Sequence, residues 1–228
     1  MGEVAGRKLI FFAGGDGVVY AFAALRGKAP TGEVQKLQRV WQFDFDPSAP
    51  KTNVHHFNRN RREGPSNFYG MPVFFEGRIY VAGGGDLFWG KNEAWLKCID
   101  ASKTGDITKT GEIWAYRLGN HVLSTPAIKD GLLFIADCGR KVHCVDAKTG
   151  KPYWTHDMLA AVWGSPMVIN GKVYLGDEDG DVVVLEAAKE KKLLGEMNMG
   201  SSTYATPVPA NGTLFIMNRN QLWALSQK

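Results

Sequence analysis

The residues best suited to bind a ligand lie in two stretches that interrupt an otherwise regular pattern. The first stretch, residues 45–69, carries histidines and arginines among aromatic side chains: His55, His56, Arg59, Arg61 and Arg62. The second, residues 83–94, contributes Asp86, Trp89, Lys91 and Asn92. Arginine forks suit carboxylates and phosphates, and long loops in compact domains are usually functional or disordered. These nine residues are therefore the candidate binding site for a small ligand or a protein partner.

The same composition also fits a loop that packs by its aromatic rings while its charges pair or stay solvated. The adjacent histidines His55 and His56 lack the further ligands of a zinc site, because no C-x-x-C or H-x-x-x-H motif accompanies them. The acidic run 177–181 lacks the distant Glu of an EF-hand loop and predicts a hairpin turn. No G-x-S-x-G motif or carboxylate pair indicates a hydrolase or lyase. The sequence therefore assigns no catalytic residue and no metal ligand.

One short pattern recurs four times and determines the predicted architecture. A proline precedes an apolar stretch, an Asn-Gly, Asp-Gly or Glu-Gly pair follows, and a second apolar stretch completes the pattern. The prolines are Pro72, Pro126, Pro166 and Pro207, so that successive copies lie 54, 40 and 41 residues apart. The X-Gly pairs are typical of tight hairpin turns, which favour positive φ. Four short strands need about 40 residues, which is the size of one propeller blade.

The repeat therefore predicts an all-β protein, a β-propeller of about five four-stranded units in one domain. The units cover residues 1–44, 70–118, 124–157, 164–199 and 205–228, and residues 45–69 form an inserted loop. In the last unit the pattern supplies three strands and no fourth. We therefore expect the carboxy-terminal part of a larger seven- or eight-bladed ring; the alternatives are an open arc and a five-bladed ring. Unpaired blade edges would favour self-association.

Composition narrows the class of protein further. The net charge of +4 is mild and by itself implies little about nucleic acid. No apolar run approaches the roughly 20 residues of a membrane span. We expect neither a nucleic-acid partner nor a membrane span. The first seven residues lack the apolar segment of a targeting signal, so this sequence does not identify the compartment of the protein. We expect a periplasmic or secreted protein if a signal peptide lies upstream. Three cysteines, Cys98, Cys138 and Cys144, predict buried free thiols.

One segment of the third unit resembles the tryptophan-docking motif of quinoprotein-like propellers, which are built from repeats named after pyrroloquinoline quinone (PQQ). The motif positions are Asp146, Thr149, Gly150 and Trp154, and those of a degenerate copy are Asp100, Gly111 and Trp114. The resemblance implies that each tryptophan packs between adjacent blades while the Asp and its turn hold the ring. The fourth unit has Glu186 at the Asp position and no tryptophan.

That family includes PQQ dehydrogenases and non-catalytic outer-membrane assembly lipoproteins, and a fold alone does not choose between them. We favour a non-catalytic scaffold without a cofactor, which presents loops on one face to a protein or small-molecule partner. The alternative is a PQQ- and Ca²⁺-dependent dehydrogenase of an alcohol or sugar. For that activity the resemblance implies a full ring around the quinone and Ca²⁺ held by Glu, Asn or Asp. It also implies, in the alcohol dehydrogenases, a bonded pair of adjacent cysteines, which this sequence lacks.

Overall fold

The computed structural model of the chain describes residues 1–25, 27, 30–58, 62–86 and 93–226. Within these ranges the strands form five sheets that follow one another along the chain as blades. The helical part of the same ranges is one 3-10 helix, Val54–Phe57. The predicted all-β class and the repeated blade are confirmed.

The second blade contributes a strand to the sheet of the first. The first blade contains β1 (Gly2–Val4), β2 (Arg7–Ala13), β3 (Val18–Ala23) and β4 (Arg39–Asp44). The second contains β5 (Val73–Phe75), β6 (Arg78–Gly84), β7 (Ala94–Asp100) and β9 (Glu112–Leu118). Between β7 and β9 the chain forms β8 (Gly105–Asp106), which pairs in parallel with β4. The first sheet therefore has five strands rather than the predicted four, because the second blade extends a strand across to it.

The remaining three blades follow the repeat more closely. The third contains β10 (Ala127–Lys129), β11 (Leu132–Ala136), β12 (Lys141–Asp146) and β13 (Pro152–Asp157). The fourth contains β14 (Met167–Ile169), β15 (Lys172–Gly176), β16 (Asp181–Glu186) and β17 (Leu193–Asn198). The fifth contains β18 (Val208–Ala210), β19 (Thr213–Met217) and β20 (Leu222–Ser226), three strands as predicted.

A two-residue turn between the first and second strands defines each hairpin. In the fourth blade the turn residues are Asn170 and Gly171, with φ of 49° and 69°. Both values lie in the left-handed region, which glycine and asparagine enter at the least cost. This is the geometry that matches the natural twist of paired strands. The X-Gly pairs of the sequence therefore determine where each hairpin reverses.

The hydrophobic core lies between the blades rather than inside any one of them. Side chains alternate along β11: Leu133 and Ile135 pack against the second blade, whereas Phe134 and Ala136 pack against the fourth. All four residues are fully buried. Each central blade thus has two apolar faces, because both sides of its sheet contact a neighbour.

A tryptophan on the fourth strand of each of the first three blades joins that blade to the next. Each indole Nε1 donates a hydrogen bond to a backbone carbonyl of the following blade, at 3.2, 3.1 and 2.9 Å in chain order. The donor and acceptor residues are Trp41 and Ala101, Trp114 and Ala147, and Trp154 and Ala188. None of the three rings is more than 9% exposed.

The turn after β12 receives the tryptophan of the preceding blade. The Asp146 carboxylate accepts hydrogen bonds from the backbone N–H and the hydroxyl of Thr149, at 2.8 and 3.0 Å. A Cβ added to Gly150 would lie 2.6 Å from the ring of Trp114. Asp146, Thr149 and Gly150 therefore shape the contact for Trp114, while Trp154 of the same segment docks on the next blade.

The degenerate copy of the motif is shifted by one residue from its predicted alignment. The carbonyl of Gly111 accepts the backbone N–H of Asp100, just as the carbonyl of Lys151 accepts that of Asp146. Gly111 therefore lies at the position of Lys151, not of Gly150. The three atoms nearest to a Cβ added to Gly111 would all belong to Ile107, the closest at 2.7 Å, whereas those nearest to a Cβ added to Gly150 belong to Trp114. The insertion that forms β8 moves the turn, so Gly111 does not occupy the place that Gly150 has in the complete motif.

The three cysteines are buried free thiols, as predicted. Burial raises the pKa of Cys98 and of Cys138 to about 11 and that of Cys144 to about 12. The thiolate is the reactive form, so these side chains act as apolar packing groups near neutral pH.

We expect Gly150→Ala to lower the free energy of unfolding by about 1–3 kcal/mol more than Gly131→Ala does. Both residues have positive φ, 74° and 75°, so both variants carry the same backbone strain. A Cβ at Gly131 would meet nothing within 4 Å, whereas one at Gly150 would press on Trp114. Urea denaturation of the two variants measures the difference. Equal destabilisation would show that the Trp114 contact contributes nothing.

We expect iodoacetamide to label the three thiols of the folded chain far more slowly than those of the chain in urea at pH 8. Between pH 8 and 10 labelling in urea should level off as the thiols there become fully ionised, whereas the much slower labelling of the folded chain should keep rising about tenfold per pH unit, because the pKa values of the folded thiols are about 11 to 12. Folding raises the pKa values of the three thiols. The stability that the protonated thiols contribute is therefore present below about pH 8.5 and is lost as the pH rises towards 11. Mass spectrometry at timed intervals gives the rates. A thiol that reacts equally fast in both states would contradict its burial.

Candidate functional site

The two inserted stretches meet on one face of the blades, beside the turns between second and third strands. The backbone N–H of Asn67 donates to the carbonyl of Gly84 at 2.7 Å, and that of Gly84 donates to Asn67 at 3.1 Å. Phe68 then packs edge-to-face on Phe45, with ring centroids 5.1 Å apart. This bridge attaches the long insertion to the end of β6, the strand that leads into the second insertion. We call the surface formed by the described residues 45–58, 62–72, 85–86 and 93 the insertion face.

A cleft of about 230 Å³ opens on the insertion face, between the long insertion and the first blade. It has both apolar and hydrogen-bonding groups on its walls. The lining residues are Gly15, Val54, His55, Phe57, Asn58, Gly64, Pro65 and Asn67. Gly15 belongs to the turn between β2 and β3, so the cleft forms only when the insertion folds back over the first blade.

The structure places the predicted site residues in different surroundings. His55 and His56 lie exposed on the 3-10 helix, and His55 lines the cleft. Arg62 is exposed. Asp86 is buried, with 9% of its surface exposed, and accepts a hydrogen bond from the hydroxyl of Tyr69. The other predicted residues lie outside the described ranges: Arg59, Arg61, Trp89, Lys91 and Asn92.

His121 is a residue of this surface that sequence reasoning missed. It lies in the connection from the second to the third blade and is 6% exposed. Its Nδ1 donates to the carbonyl of Gly85 at 3.0 Å, which ties that connection to the residue before Asp86. The buried Asp86 thus has Tyr69 bonded to its carboxylate and His121 bonded to the adjoining backbone. A lone histidine in a connection between repeats carried no sequence signal for this contact.

A second missed group joins the second and third blades. His143 lies within β12, where its Nε2 is 3.1 Å from Asp137 Oδ2 and its Nδ1 is 3.1 Å from the Tyr116 hydroxyl. The same Asp137 oxygen accepts the backbone N–H of Gly119 at 3.0 Å. Burial and the charge of Asp137 raise the pKa of Tyr116. The available signal was one polar residue, His143, among the apolar Val142, Cys144 and Val145 of β12.

The corresponding acid of the fourth blade lacks such partners. Val183 occupies the position of His143, because it pairs with Leu175 as His143 pairs with Ile135. Asp177 is fully buried; its Oδ1 accepts three backbone N–H groups of its turn, while its Oδ2 has no partner among the described residues. Burial raises the pKa of Asp177 above its usual value. The acidic run 177–181 forms the predicted hairpin turn.

Within the described ranges, no three His, Cys, Asp or Glu side chains converge so that they could share a metal ion. In the same ranges, no helix has the length and apolar character needed to cross a membrane.

These blades, joined by docked tryptophans, define a β-propeller of the quinoprotein-like class with PQQ-like repeats. The sequence model of the family described as outer membrane protein assembly factor BamB matches residues 92–228. That match covers more than half of the chain, and the chain belongs to this family.

Individual relatives fall into two functional groups. The quinohemoprotein alcohol dehydrogenase of Comamonas testosteroni is 30% identical over 108 residues, which are 42% of this chain and 15% of that protein. The outer membrane protein assembly factor BamB of Moranella endobia (strain PCIT) is 24% identical over 162 residues, which are 63% of this chain and 42% of the relative. The chain thus spans less than half the length of either relative.

The similarity in structure extends over almost the whole chain. The crystal structure of BamB from Moraxella catarrhalis matches with a TM-score of 0.65 at 15% identity, over 96% of this chain and 55% of that one. At this level of identity the match shows a shared fold.

We expect His143→Val to lower the free energy of unfolding by about 1–3 kcal/mol, because it removes a hydrogen-bond partner of the buried Asp137. Tyr116→Phe should lower the free energy of unfolding by less than this in the parent chain. In the His143→Val background it should change the free energy of unfolding hardly at all, since the Tyr116 hydroxyl there has no imidazole to bond. Urea denaturation of the four proteins in this double-mutant cycle gives the coupling. Additive effects would show that Tyr116 and His143 do not interact.

Proposed function

We propose that this chain is a non-catalytic scaffold propeller whose insertion face binds a protein partner, in the assembly of outer membrane proteins. The observation that carries the proposal is the bridge between Asn67 and Gly84, which attaches the long insertion to the end of the strand that leads into the second one. Loops held by a rigid frame are where repeat proteins usually place their binding residues. The family match and the name of the Moranella endobia relative support the outer-membrane context.

The dimensions of the insertion face favour a protein over a small molecule. Its cleft of about 230 Å³ lies below the roughly 300–1,000 Å³ that small-molecule sites occupy. Tyr69 is 44% exposed beside it, and His55, His56 and Arg62 are exposed on the same stretch of chain. Exposed aromatic and arginine side chains are the residues on which protein interfaces most often depend. We propose His55, His56, Arg62 and Tyr69 as contacts.

The proposal extends to the context of the chain. We propose that residues 1–228 are one propeller domain, part of a larger ring of seven or eight blades, in a compartment next to the outer membrane. The match to 55% of the chain of BamB from Moraxella catarrhalis supports the larger ring. The name of the Moranella endobia relative, outer membrane protein assembly factor BamB, supports the compartment.

The second candidate function is a PQQ- and Ca²⁺-dependent dehydrogenase, favoured by the 30% identity to the quinohemoprotein alcohol dehydrogenase. The described residues do not fit that site. Cys98, Cys138 and Cys144 are separate buried thiols, and the carboxylates and histidines of the described ranges do not gather into a set of metal ligands. We therefore derive no step through the quinone.

A photo-crosslinking residue in place of His55 should form adducts with a defined protein in cells that produce the chain naturally. The same residue in place of Lys129 should not, because Lys129 precedes the turn between β10 and β11 on the opposite face of the blades. Mass spectrometry of the adducts identifies the partner. Adducts from Lys129 and none from His55 would show that the wrong face was chosen.

Calorimetric titration of the purified chain with PQQ, with and without Ca²⁺, separates the two candidate functions. We expect no saturable heat in either condition, because no three His, Cys, Asp or Glu side chains converge in the described ranges. Tight binding that requires Ca²⁺ would overturn the scaffold proposal and restore the dehydrogenase.

A further inference from the structure

Three successive blades carry loops rich in lysine on the face opposite the insertion face. These loops connect the third strand to the fourth: residues 101–111 in the second blade, 147–151 in the third and 187–192 in the fourth. Together they contain seven lysines, no arginine and two acidic residues, Asp106 and Glu190. We call the surface of these three loops the lysine face; its lysines are Lys103, Lys109, Lys148, Lys151, Lys189, Lys191 and Lys192.

Backbone hydrogen bonds fix the base of each loop on this face. The first residue of each loop donates its N–H to the glycine carbonyl of the turn between the first and second strands of the same blade, at 3.1, 2.9 and 2.8 Å. The docked tryptophan of the preceding blade bonds to the first or second residue of the same loop. Six of the seven lysines are exposed. A rigid frame therefore presents flexible charged side chains.

The acidic residues that end the third strands are bonded within their own loops. Asp100 and Asp146 accept backbone N–H groups two and three residues ahead, at 2.9 and 2.8 Å. Glu186 forms an ion pair with Lys192, whose Nζ is 3.0 Å from Oε2. Among the described residues, no carboxylate lies within 4 Å of the other six ammonium groups. Six positive charges of the lysine face are therefore not neutralised by an ion pair.

The turns between first and second strands add further charges to this face. In these three blades they contribute three basic and two acidic residues: Arg78, Lys129, Lys172, Glu76 and Asp130. Lys129 and Asp130 pair with each other, with Nζ and Oδ1 3.5 Å apart. The turns therefore leave the positive excess of the face in place.

The composition of the lysine face indicates the class of its partner. Protein interfaces are enriched in aromatic residues and arginine and depleted of lysine, and proteins that bind single-stranded nucleic acid stack its bases on aromatic rings. The three loops contain neither an aromatic residue nor an arginine. Lysine is a strongly hydrated point charge on a flexible stem, which suits lipid phosphates that have no fixed geometry. Clusters of lysine are attracted to anionic membrane surfaces in this way.

The other end of the fourth blade carries the opposite charge. Its turn between the second and third strands, residues 177–181, contains four acidic residues and no basic one. Its loop 187–192 contains three lysines and one glutamate. A negatively charged surface attracts the second group and repels the first. Such a surface therefore orients the blades with the insertion face away from it.

We propose that the lysine face docks on a membrane surface that contains anionic phospholipids. The exposed lysines contact the lipid phosphates, and the insertion face points away from the membrane, towards its protein partner. No segment of the chain enters the bilayer, so the contact is electrostatic and depends on salt. The lysine face and the insertion face are separate surfaces, so this proposal does not require the proposed function to hold.

Sedimentation with lipid vesicles is the first test. The purified chain should bind vesicles of phosphatidylcholine with about 40% phosphatidylglycerol at least about tenfold more tightly than vesicles of phosphatidylcholine alone. Raising the NaCl concentration from about 50 to about 500 mM should release the chain, because salt screens exposed charges. Equal binding to both kinds of vesicle would overturn the proposal, and so would the absence of binding to either.

Two variants with the same loss of charge locate the contact. Each replaces four basic residues by glutamine and lowers the net charge from +4 to zero. The lysine-face variant changes Lys109, Lys148, Lys151 and Lys189. The control changes four residues near the opposite ends of the strands: Arg117, Arg140, Lys141 and Arg219. Urea denaturation of both variants checks that they fold.

The lysine-face variant should bind the anionic vesicles at least about tenfold more weakly than the parent chain, since each lysine near such a surface contributes about fivefold. The control should change binding by less than about threefold, because its charges lie on the side away from the membrane. Equal weakening in the two variants would show that net charge, and not the lysine face, determines binding.

Duplex DNA tests the other polyanion. In fluorescence anisotropy the parent chain should bind a labelled duplex no more tightly than it binds the anionic vesicles at the same salt concentration. Tighter binding of the duplex that the lysine-face variant loses and the control retains would identify nucleic acid as the partner of this face and would overturn the membrane proposal.

Discussion

The packing of one blade's sheet against the next is the contact on which the whole structure depends. A single small antiparallel sheet with two apolar faces cannot be stable in water, and in repeat architectures neighbours supply the missing burial. The docked indole determines the position of one blade relative to the next. Its N–H and the carbonyl that accepts it are both buried between blades and satisfy each other, as at Trp114 and Ala147, where the N–O distance is 3.1 Å. Apolar area drives the blades together, and the hydrogen bond determines how they meet.

A frame built in this way leaves its loops free to differ. The long insertion packs on the first and second blades through Phe45, Phe68 and the backbone of Asn67. That independence explains how one family can include relatives named as dehydrogenases and as assembly factors. The blades determine the positions of loops, and the loops determine the chemistry.

The four junctions between blades are not equivalent, and their differences are local. The second and third blades share a buried polar group around His143, whose place in the fourth blade is taken by Val183. At the junction between the fourth and fifth blades, Gly195 takes the place of the docked tryptophan. Because each junction contacts only its neighbours, a departure at one place does not disturb the next. Such departures are the places where specific recognition can arise.

The sequence alone determined the blades, because their signals are local. Asn170-Gly171 and its counterparts mark turns that need positive φ, and the alternation of Leu133, Phe134 and Ile135 marks a sheet buried on both faces. It also located both insertions of the candidate site, and His55 within them, since they interrupt this period.

The tertiary structure decided which distant groups meet. The pairing of β8 with β4, the burial of Asp86 beside His121 and the bond from Tyr116 to His143 join segments of different blades. No spacing within one repeat encodes such contacts, since they arise only when blades pack. The replacement of the docked tryptophan by Gly195 in the fourth blade is of the same kind, because it is visible only once the registers of the sheets can be compared.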